Sequence, residues 1–506
     1  MAGGALSNPV GRRSNLYEHN TNIYYKLTCT LGAIGGALFG YDLGVSGGVT
    51  SMDDFLEKFF PEVYMRKHMH HNDQFETDGY CKYDDQLLTL FTSSLYFSAI
   101  LMSLFASHLT KKKGRRASII VGALTFLLGA ILNVVAVNIP MLIIGRILLG
   151  AGIGFGNQAV PIYLSEMAPA ESRGKVSQMF QLATCLGILA ANLVNFFTVN
   201  AHPNGWRVSL GLAGLPAIIM LFGGVFILYE TPTSLVEQGK LEEARRVLEK
   251  IRGTRNVDAE LDDIIEANQI SQTVNSQTFK TLLMRKYRPQ LWIGAIAIPA
   301  FQQLTGVNCI LFYAPVIFES LGFGTKASLI SSFLTNGALL IATLISMYLV
   351  DKYGRRKFFI EAGMEMVACM IIIGLILAID FGHGKDLSRG SGMILIIAIF
   401  VYVFAFGRSW GPLGWLVPSE LFNMEIKSAA QSIVVSVNMS FTALVAQLFL
   451  LSLCHLKYGV FFLFGGFLLI MTCFIYFLLP ETKKVPIEEV PGLFKKHTYW
   501  KRYMES

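Results

Sequence analysis

Few residues of this sequence combine useful chemistry with a setting that could exploit it. Asp42 lies in Phe39-Gly40-Tyr41-Asp42-Leu43-Gly44, near the end of an apolar run from Leu27 to Val45, and Arg146 lies within another, Met141 to Tyr163. A charge at membrane depth is costly and marks function by default. Burial favours the protonated acid and a nearby cation favours the ionised one, so an acid that alternates between the two can carry a proton. Gly32, Gly36, Gly40, Gly44 and Gly48 recur every four residues on the same run, the spacing of a close-packing seam. At 100° per residue Asp42 lies about 200° from Gly40 and is expected to face away from that seam.

A second constellation is built of neutral amides. The segment Pro299 to Pro315 carries Gln302, Gln303 and Asn308. On an unbroken helix Gln303 and Asn308 point about 140° apart, so they share a cavity only if the helix is interrupted, and Pro299, Gly306 and Pro315 supply the means. Amides that donate and accept suit an uncharged, polyhydroxylated ligand better than an ion. Gln181, Thr184, Ile188, Asn192 and Asn195 form one stripe elsewhere, Asn438 and Gln447 add further amides, and Trp410 and Trp415 flank Gly411, Pro412 and Gly414. Interhelical hydrogen bonding is the alternative use of such amides, and packing that of the indoles. His68, His70 and His71 fall in a polar loop, and Gly150 to Gly156 lacks the strand and spacing of a dinucleotide loop. With no Walker loop, nucleophile elbow or HExxH, neither an enzyme nor a metal or organic cofactor is expected, and no nucleic-acid partner.

The elements that must position these groups follow from composition. Of 506 residues 53% are apolar and 15% charged, with mean hydropathy +0.49; soluble domains carry about 25% charge. At about 20 residues per span, twelve apolar runs fit, and an all-α polytopic membrane protein is expected. Lys111, Lys112, Lys113, Arg115 and Arg116 cluster in one loop and Lys352, Arg355, Arg356 and Lys357 in another, whereas the loop from Gly48 to Gln86 has four basic residues against nine acidic. The positive-inside rule then puts both termini in the cytoplasm. Lys113-Gly114-Arg115-Arg116 recurs 240 residues on as Tyr353-Gly354-Arg355-Arg356, Ser165-Glu166 recurs 254 on as Ser419-Glu420, and Glu230-Thr231 recurs 251 on as Glu481-Thr482. One nearly constant offset implies two homologous halves of six spans. The expected organisation is a tail (1–26), a six-helix bundle (27–230) with an outer loop (48–86), a cytoplasmic helical insert (231–289), a second bundle (290–480) and a tail (481–506). Leu241, Ala244, Val247, Leu248 and Ile251 give the insert its helical spacing.

These motifs, over essentially the whole chain, resemble the sugar porter branch of the major facilitator superfamily, and within it the plant proton/monosaccharide symporters. The likeness rests on Phe39 to Thr50, both Gly-Arg-Arg loops, Gly145-Arg146, Pro161 to Pro169, Pro299 to Pro315, Gly411 to Glu420 and Pro480 to Glu489. It implies import of hexoses such as glucose or galactose across the plasma membrane by a monomer, with protons as coupling ion; a facilitative uniporter or a non-transporting sensor are the alternatives. Asp42 would exchange the proton with Arg146 as partner. Gln181, Gln302, Gln303, Asn308, Trp415 and Asn438 would bind sugar, with Phe39 and Leu43 linking it to the acid. Cys81 and Cys454 would form a disulfide, and Arg115, Arg116, Glu166, Arg173, Asp351, Arg355, Arg356 and Glu420 would make inner-gate ion pairs. The pattern is departed from at Leu339, where many relatives have Asn, at Arg408, where many have Trp, and at Lys427, where Arg is usual.

Overall fold

A computed structural model describes residues 20, 22–50, 52–68, 86–169, 172–199, 201–273, 278–308, 310–311, 325–382, 389–423, 425–483, 485 and 490–504. The fold is all-α. Spans one to six are Ile23–Val49, Gln86–Lys113, Arg115–Val134, Ile139–Met167, Met179–Thr198 and the pair Gly205–Leu212 and Gly214–Phe226. The seventh begins as a π-helical stretch, Leu291–Ala297, and continues as Ile298–Leu304. Spans eight to twelve are Thr325–Tyr353, Arg355–Gly382, Arg389–Arg408 with its continuation Trp410–Leu421, Lys427–Leu456 and Gly459–Leu478.

Ten helices among the described residues are long and apolar enough to cross a bilayer; the first and seventh spans complete the twelve. The first falls short in hydropathy because glycines and Asp42 dilute its apolar residues, and the seventh because it is broken. Within the halves, the first span packs on the fifth, the fourth on the second and third, and the ninth on the tenth and twelfth. Across them, the second packs on the eleventh and the fifth on the eighth. A shift of six spans turns one of these pairs into the other, so the internal repeat is also the symmetry of the interface.

The glycine seam decides how closely the first span approaches the fifth. A Cβ at Gly36 would stand 2.2 Å from the Phe180 carbonyl oxygen, and one at Gly40 would stand 2.0 Å from that of Thr184. Asn195, from the same face of the fifth span, donates its amide to the Gly44 carbonyl at 3.1 Å. The expected polar stripe of the fifth span therefore divides: Asn195 and Thr184 serve this contact, while Gln181 faces the tenth span.

Beyond the membrane set, the insert contains Pro232–Glu237, Leu241–Arg252, Asp258–Thr273 and Thr278–Leu282. Ala244, Leu248 and Ile251 are buried, as their spacing predicts, whereas Leu241 is exposed. Arg252 ties this layer to the first half, donating to the Met167 carbonyl at 2.8 Å and pairing with Glu260 at 2.7 Å. Two short helices, Asp53–Phe59 and Pro61–His68, occupy the long first loop. The fully buried Phe55 carries them, its ring within 6 Å of Phe59, Phe60, Phe91 and Trp206.

The seam makes a direct prediction. Gly40→Ala sets a methyl against backbone and is expected to cost about 1–3 kcal/mol, seen as a lower unfolding temperature in detergent. Gly466→Ala, where a Cβ would meet nothing within 4 Å, is the matched control and is expected to hold or raise it.

Candidate functional site

Asp42 and Arg146 meet. Arg146 Nη1 donates to Asp42 Oδ1 at 2.5 Å, with the acid 2% and the arginine 1% exposed. Arg146 Nη2 donates to Ser46 Oγ at 2.6 Å, and Ser46 Oγ donates on to the Asp42 carbonyl at 2.7 Å. The guanidinium carbon lies 4.3 Å from the centre of the Phe91 ring. Three groups thus hold the cation: a carboxylate, a hydroxyl and an aromatic face. The acid faces the fourth span and turns its back on the glycine seam, as the helical rotation requires. Phe39, one turn earlier, is buried, and Leu43 half-buried. Burying two charges costs several kcal/mol per ion and their attraction repays it only in good geometry, so the pair ties spans one and four together only while Asp42 is ionised.

The amides of the second half form a single relay. Thr305 ends the seventh-span helix, and Gly306 turns the chain with φ +80°, a conformation natural to glycine. This brings Asn308 back, so that its Nδ2 donates to Gln303 Oε1 at 3.1 Å. Gln303 Nε2 donates to Asn438 Oδ1 at 3.3 Å, Asn438 Nδ2 to Gln302 Oε1 at 2.8 Å, and Gln302 Nε2 to the Gly411 and Trp410 carbonyls at 2.7 and 3.2 Å. The relay fixes which end of each amide faces which partner. Gln302, Gln303 and Asn438 are buried, while Asn308 at the head of the chain is half-buried. Its carbonyl oxygen and second N–H, with the second N–H of Gln303, are hydrogen-bonding groups the relay leaves over.

Gln181 is buried beside the tenth span: its Nε2 lies 3.7 Å from Cys185 Sγ, and 3.5 Å from where a Cβ on Gly411 would stand. Trp415 is 4% exposed, its ring edge-on to Phe180 with centroids 5.0 Å apart. Trp410 is fully buried against Phe359 and offers its backbone, not its ring, to the relay.

At the end of the bundle bearing the Gly-Arg-Arg loops, the two halves repeat one charge cluster. Arg115 pairs with Glu166 at 3.0 Å, and Arg355 with Glu420 at 2.7 Å and Asp351 at 3.0 Å. Thr231 donates to Glu166 at 2.7 Å and Thr482 to Glu420 at 3.0 Å. Glu230 accepts from the backbone N–H groups of Arg115 and Arg116 at 2.8 and 3.1 Å, and Glu481 from those of Arg355 and Arg356 at 2.9 and 3.1 Å. Each carboxylate caps a helix N-terminus. Gly114 (φ +98°) and Gly354 (φ +92°) make this possible, since a Cβ there would stand 2.1 Å from Glu230 Oε2 and 2.7 Å from Glu481 Oε2. Burial pushes the Glu230 carboxyl above its ordinary range, against the lowering pull of those N–H groups.

Two arginines depart from the expected gate. Arg116 donates to the Gly224 and Val225 carbonyls and Arg356 to that of Tyr476. One residue on, a helix has turned by about 100°, so these side chains leave the interface and cap the last carbonyls of the sixth and twelfth spans. Arg173 acts on Glu420 through charge at longer range. Three partners went unforeseen. Glu237, from the insert, pairs with Arg115 at 2.6 Å; Lys427 crosses between halves, donating to Ser165 Oγ at 2.8 Å with Glu166 3.8 Å away; and Ser428 Oγ donates to the Ser107 carbonyl at 3.1 Å. The recurrence of Glu230-Thr231 as Glu481-Thr482 was the available signal for the capping role; nothing comparable marks Glu237. Cys81 lies outside the described residues, as does the side chain of Cys454.

Residues 28–494 match the family model described as "Sugar (and other) transporter". The chain is 60% identical to Sugar transport protein 14 of Arabidopsis thaliana over 100% of this chain and 99% of that one. It is 52% identical to Sugar transport protein MST8 of Oryza sativa subsp. japonica over 100% and 97%. Among solved structures, the major facilitator proton:xylose symporter XylE bound to 6-bromo-6-deoxy-D-glucose superposes with a TM-score of 0.79 at 24% identity, covering 94% of this chain and 100% of that one. The inward open form of the xylose transporter XylE from E. coli gives 0.67 at 23% identity over 92% and 98%. With the whole chain matched and both halves carrying the repeated charge cluster, this is a multi-pass membrane protein with the major facilitator fold, and it belongs to the sugar transporter family.

Proposed function

We propose that the chain is a proton-coupled symporter that imports monosaccharides, hexoses such as glucose or galactose, across the plasma membrane, with both termini and the Gly-Arg-Arg end in the cytoplasm. The observation that carries proton coupling is the buried Asp42–Arg146 pair, an acid whose only charge partner in the pair can be held by other groups when it is neutralised. Protonation of Asp42 from outside removes the attraction, and Ser46 and the Phe91 ring retain the guanidinium. The first and fourth spans are then free to shift. Sugar adds to the head of the relay at Asn308 and Gln303, with Gln302 and Asn438 holding them in orientation, Gln181 and Trp415 on the facing side, and Phe39 and Leu43 between sugar and acid.

In this reading, the charge clusters and the Lys427 contact hold the cytoplasmic end shut while the outer end receives sugar. Each cluster braces its own half, and the halves meet at this end through Lys427 on Ser165 and Ser428 on the Ser107 carbonyl, so the end opens when sugar and proton together favour the other arrangement. Release of both inside restores the Asp42–Arg146 pair and resets the cycle. The bundles 27–230 and 290–480 rock about the site, the insert 231–289 moves with the cytoplasmic end, and Cys81 and Cys454 close a disulfide on the outer side. The protein works as a monomer and needs protons alone as coupling ion, with neither metal nor organic cofactor. The plant relatives named as sugar transport proteins and the proton:xylose symporter that shares the fold both support this reading.

Two variants and one competition assay test it. Asp42→Asn in proteoliposomes is expected to lose sugar accumulation against a gradient and to lose the pH dependence of uptake, while downhill exchange continues; full accumulation with an unchanged pH profile would overturn the coupling. Asn438→Leu strands the Gln303 donor and the Gln302 acceptor, each at about 1–3 kcal/mol, and is expected to lower uptake at least roughly tenfold, together with thermal stability. Competition of proton-driven glucose uptake by galactose, mannose, xylose and fructose is expected to rank a hexose first, and preference for xylose would revise the substrate.

A further inference from the structure

Between the ninth and tenth spans lies a charge cluster that the arrangement above does not use. Arg408 Nη2 donates to Glu365 Oε2 at 2.7 Å, and Arg408 Nη1 stands 3.6 Å from Glu361 Oε1. Counted from Phe358, the first residue past the basic loop, Glu361 and Glu365 lie about 5 and 10 Å along the helix. Glu365 therefore lies about a third of the way into an apolar core about 30 Å thick. Charges at that depth are expensive and are retained for a purpose. The internal repeat does not supply that purpose: moving back by the 240 residues that separate the Gly-Arg-Arg loops puts Val121 and Thr125 at the matching places.

Arg408 is also the last residue before a break. Pro412 has no N–H to give the Arg408 carbonyl four residues earlier, and the helix Arg389–Arg408 resumes only at Trp410. Three neighbours hold the break. Thr343 Oγ1 donates to the Gly407 carbonyl at 3.2 Å, Ser409 Oγ donates to the Phe358 carbonyl at 3.0 Å, and the Arg408 fork reaches the two acids. Just past the break, the carbonyls of Trp410 and Gly411 anchor Gln302 and so the amide relay. The acids stand at the periphery, their side chains 51% and 42% exposed against 16% for Arg408, so their pull on the break is directed away from the centre.

We infer that Glu361, Glu365 and Arg408 form a clamp at membrane depth that fixes the broken tenth span against the ninth and thereby sets sugar affinity. Arg408 and Glu365 are positioning residues: they reach the sugar only through Trp410, Gly411 and Gln302. This rests on the sugar-binding reading of the relay. Without the clamp the break shifts, the two carbonyls leave Gln302, and Asn308 at the far end loses its orientation.

The test is initial uptake of labelled glucose by proteoliposomes, across sugar concentration and pH, of wild type, Arg408→Met, Glu365→Gln and Arg408→Lys. Arg408→Met and Glu365→Gln are expected to raise KM roughly tenfold, equivalent to about 1.4 kcal/mol, with kcat and the pH profile unchanged. Arg408→Lys, which keeps the charge without the fork, is expected to fall between them and wild type. Unchanged KM in both variants of a working transporter, or a fall in kcat at constant KM, overturns the clamp alone. Wild type that moves no sugar overturns the transport reading and the clamp with it. Should Arg408→Met not fold, Glu365→Gln and Glu361→Gln decide the matter on the same KM.

Discussion

A bilayer offers no water to a stranded polar group, so every charge and every freed backbone group in this protein has to find its partner within the chain. That constraint explains more of the structure than apolar packing does. The break in the seventh span is tolerable because Tyr402 donates to the Thr305 carbonyl at 2.6 Å, and the break in the tenth because Gln302, Thr343 and Ser409 occupy its surroundings. Asp42 is tolerable because Arg146 neutralises it, and Arg146 because a hydroxyl and a ring attend the rest of its guanidinium. In these places each irregularity is bound to another, so Asp42, Arg146 and Ser46, and the amides of the seventh span, form chains and not isolated pairs.

The halves share their scaffold and divide their chemistry. Both have the glycine turn, the capping glutamate and the arginine–glutamate–threonine cluster at matching places. The buried acid pair belongs to the first half alone and the amide relay to the second, with Gln181 reaching the tenth span from the fifth. A duplicated frame thus carries two unlike sites, one in each half.

Much of this was legible in the sequence, for a physical reason: the apolar background is so uniform that an exception stands out. Asp42 and Arg146 were visible as charges in apolar runs, and the seventh-span break as proline and glycine around amides that could not otherwise converge. Glu237 was invisible because an acid in a polar insert is ordinary, and its partner lies 122 residues away. Arg116 and Arg356 were assigned to the gate because adjacent arginines look alike in sequence although a helix aims them about 100° apart. The loop helices were missed because their anchor, Phe55, finds its aromatic partners only in three dimensions.

The single-glycine turns have a mechanical consequence. Gly114 alone separates the second span from the third, and Gly354 the eighth from the ninth, while a glutamate from the end of the sixth or twelfth span is pinned across each turn. Three helices in each half are therefore welded at one end into a lever arm with no slack at its elbow. Compliance has to reside elsewhere, and the interrupted seventh and tenth spans, where the amide relay is strung, are among the described joints able to bend. In the proposed reading the hinges and the sugar-binding groups are the same few residues, so a bound sugar would work as a strut set into the joint, and tightness of binding would become a measure of joint angle.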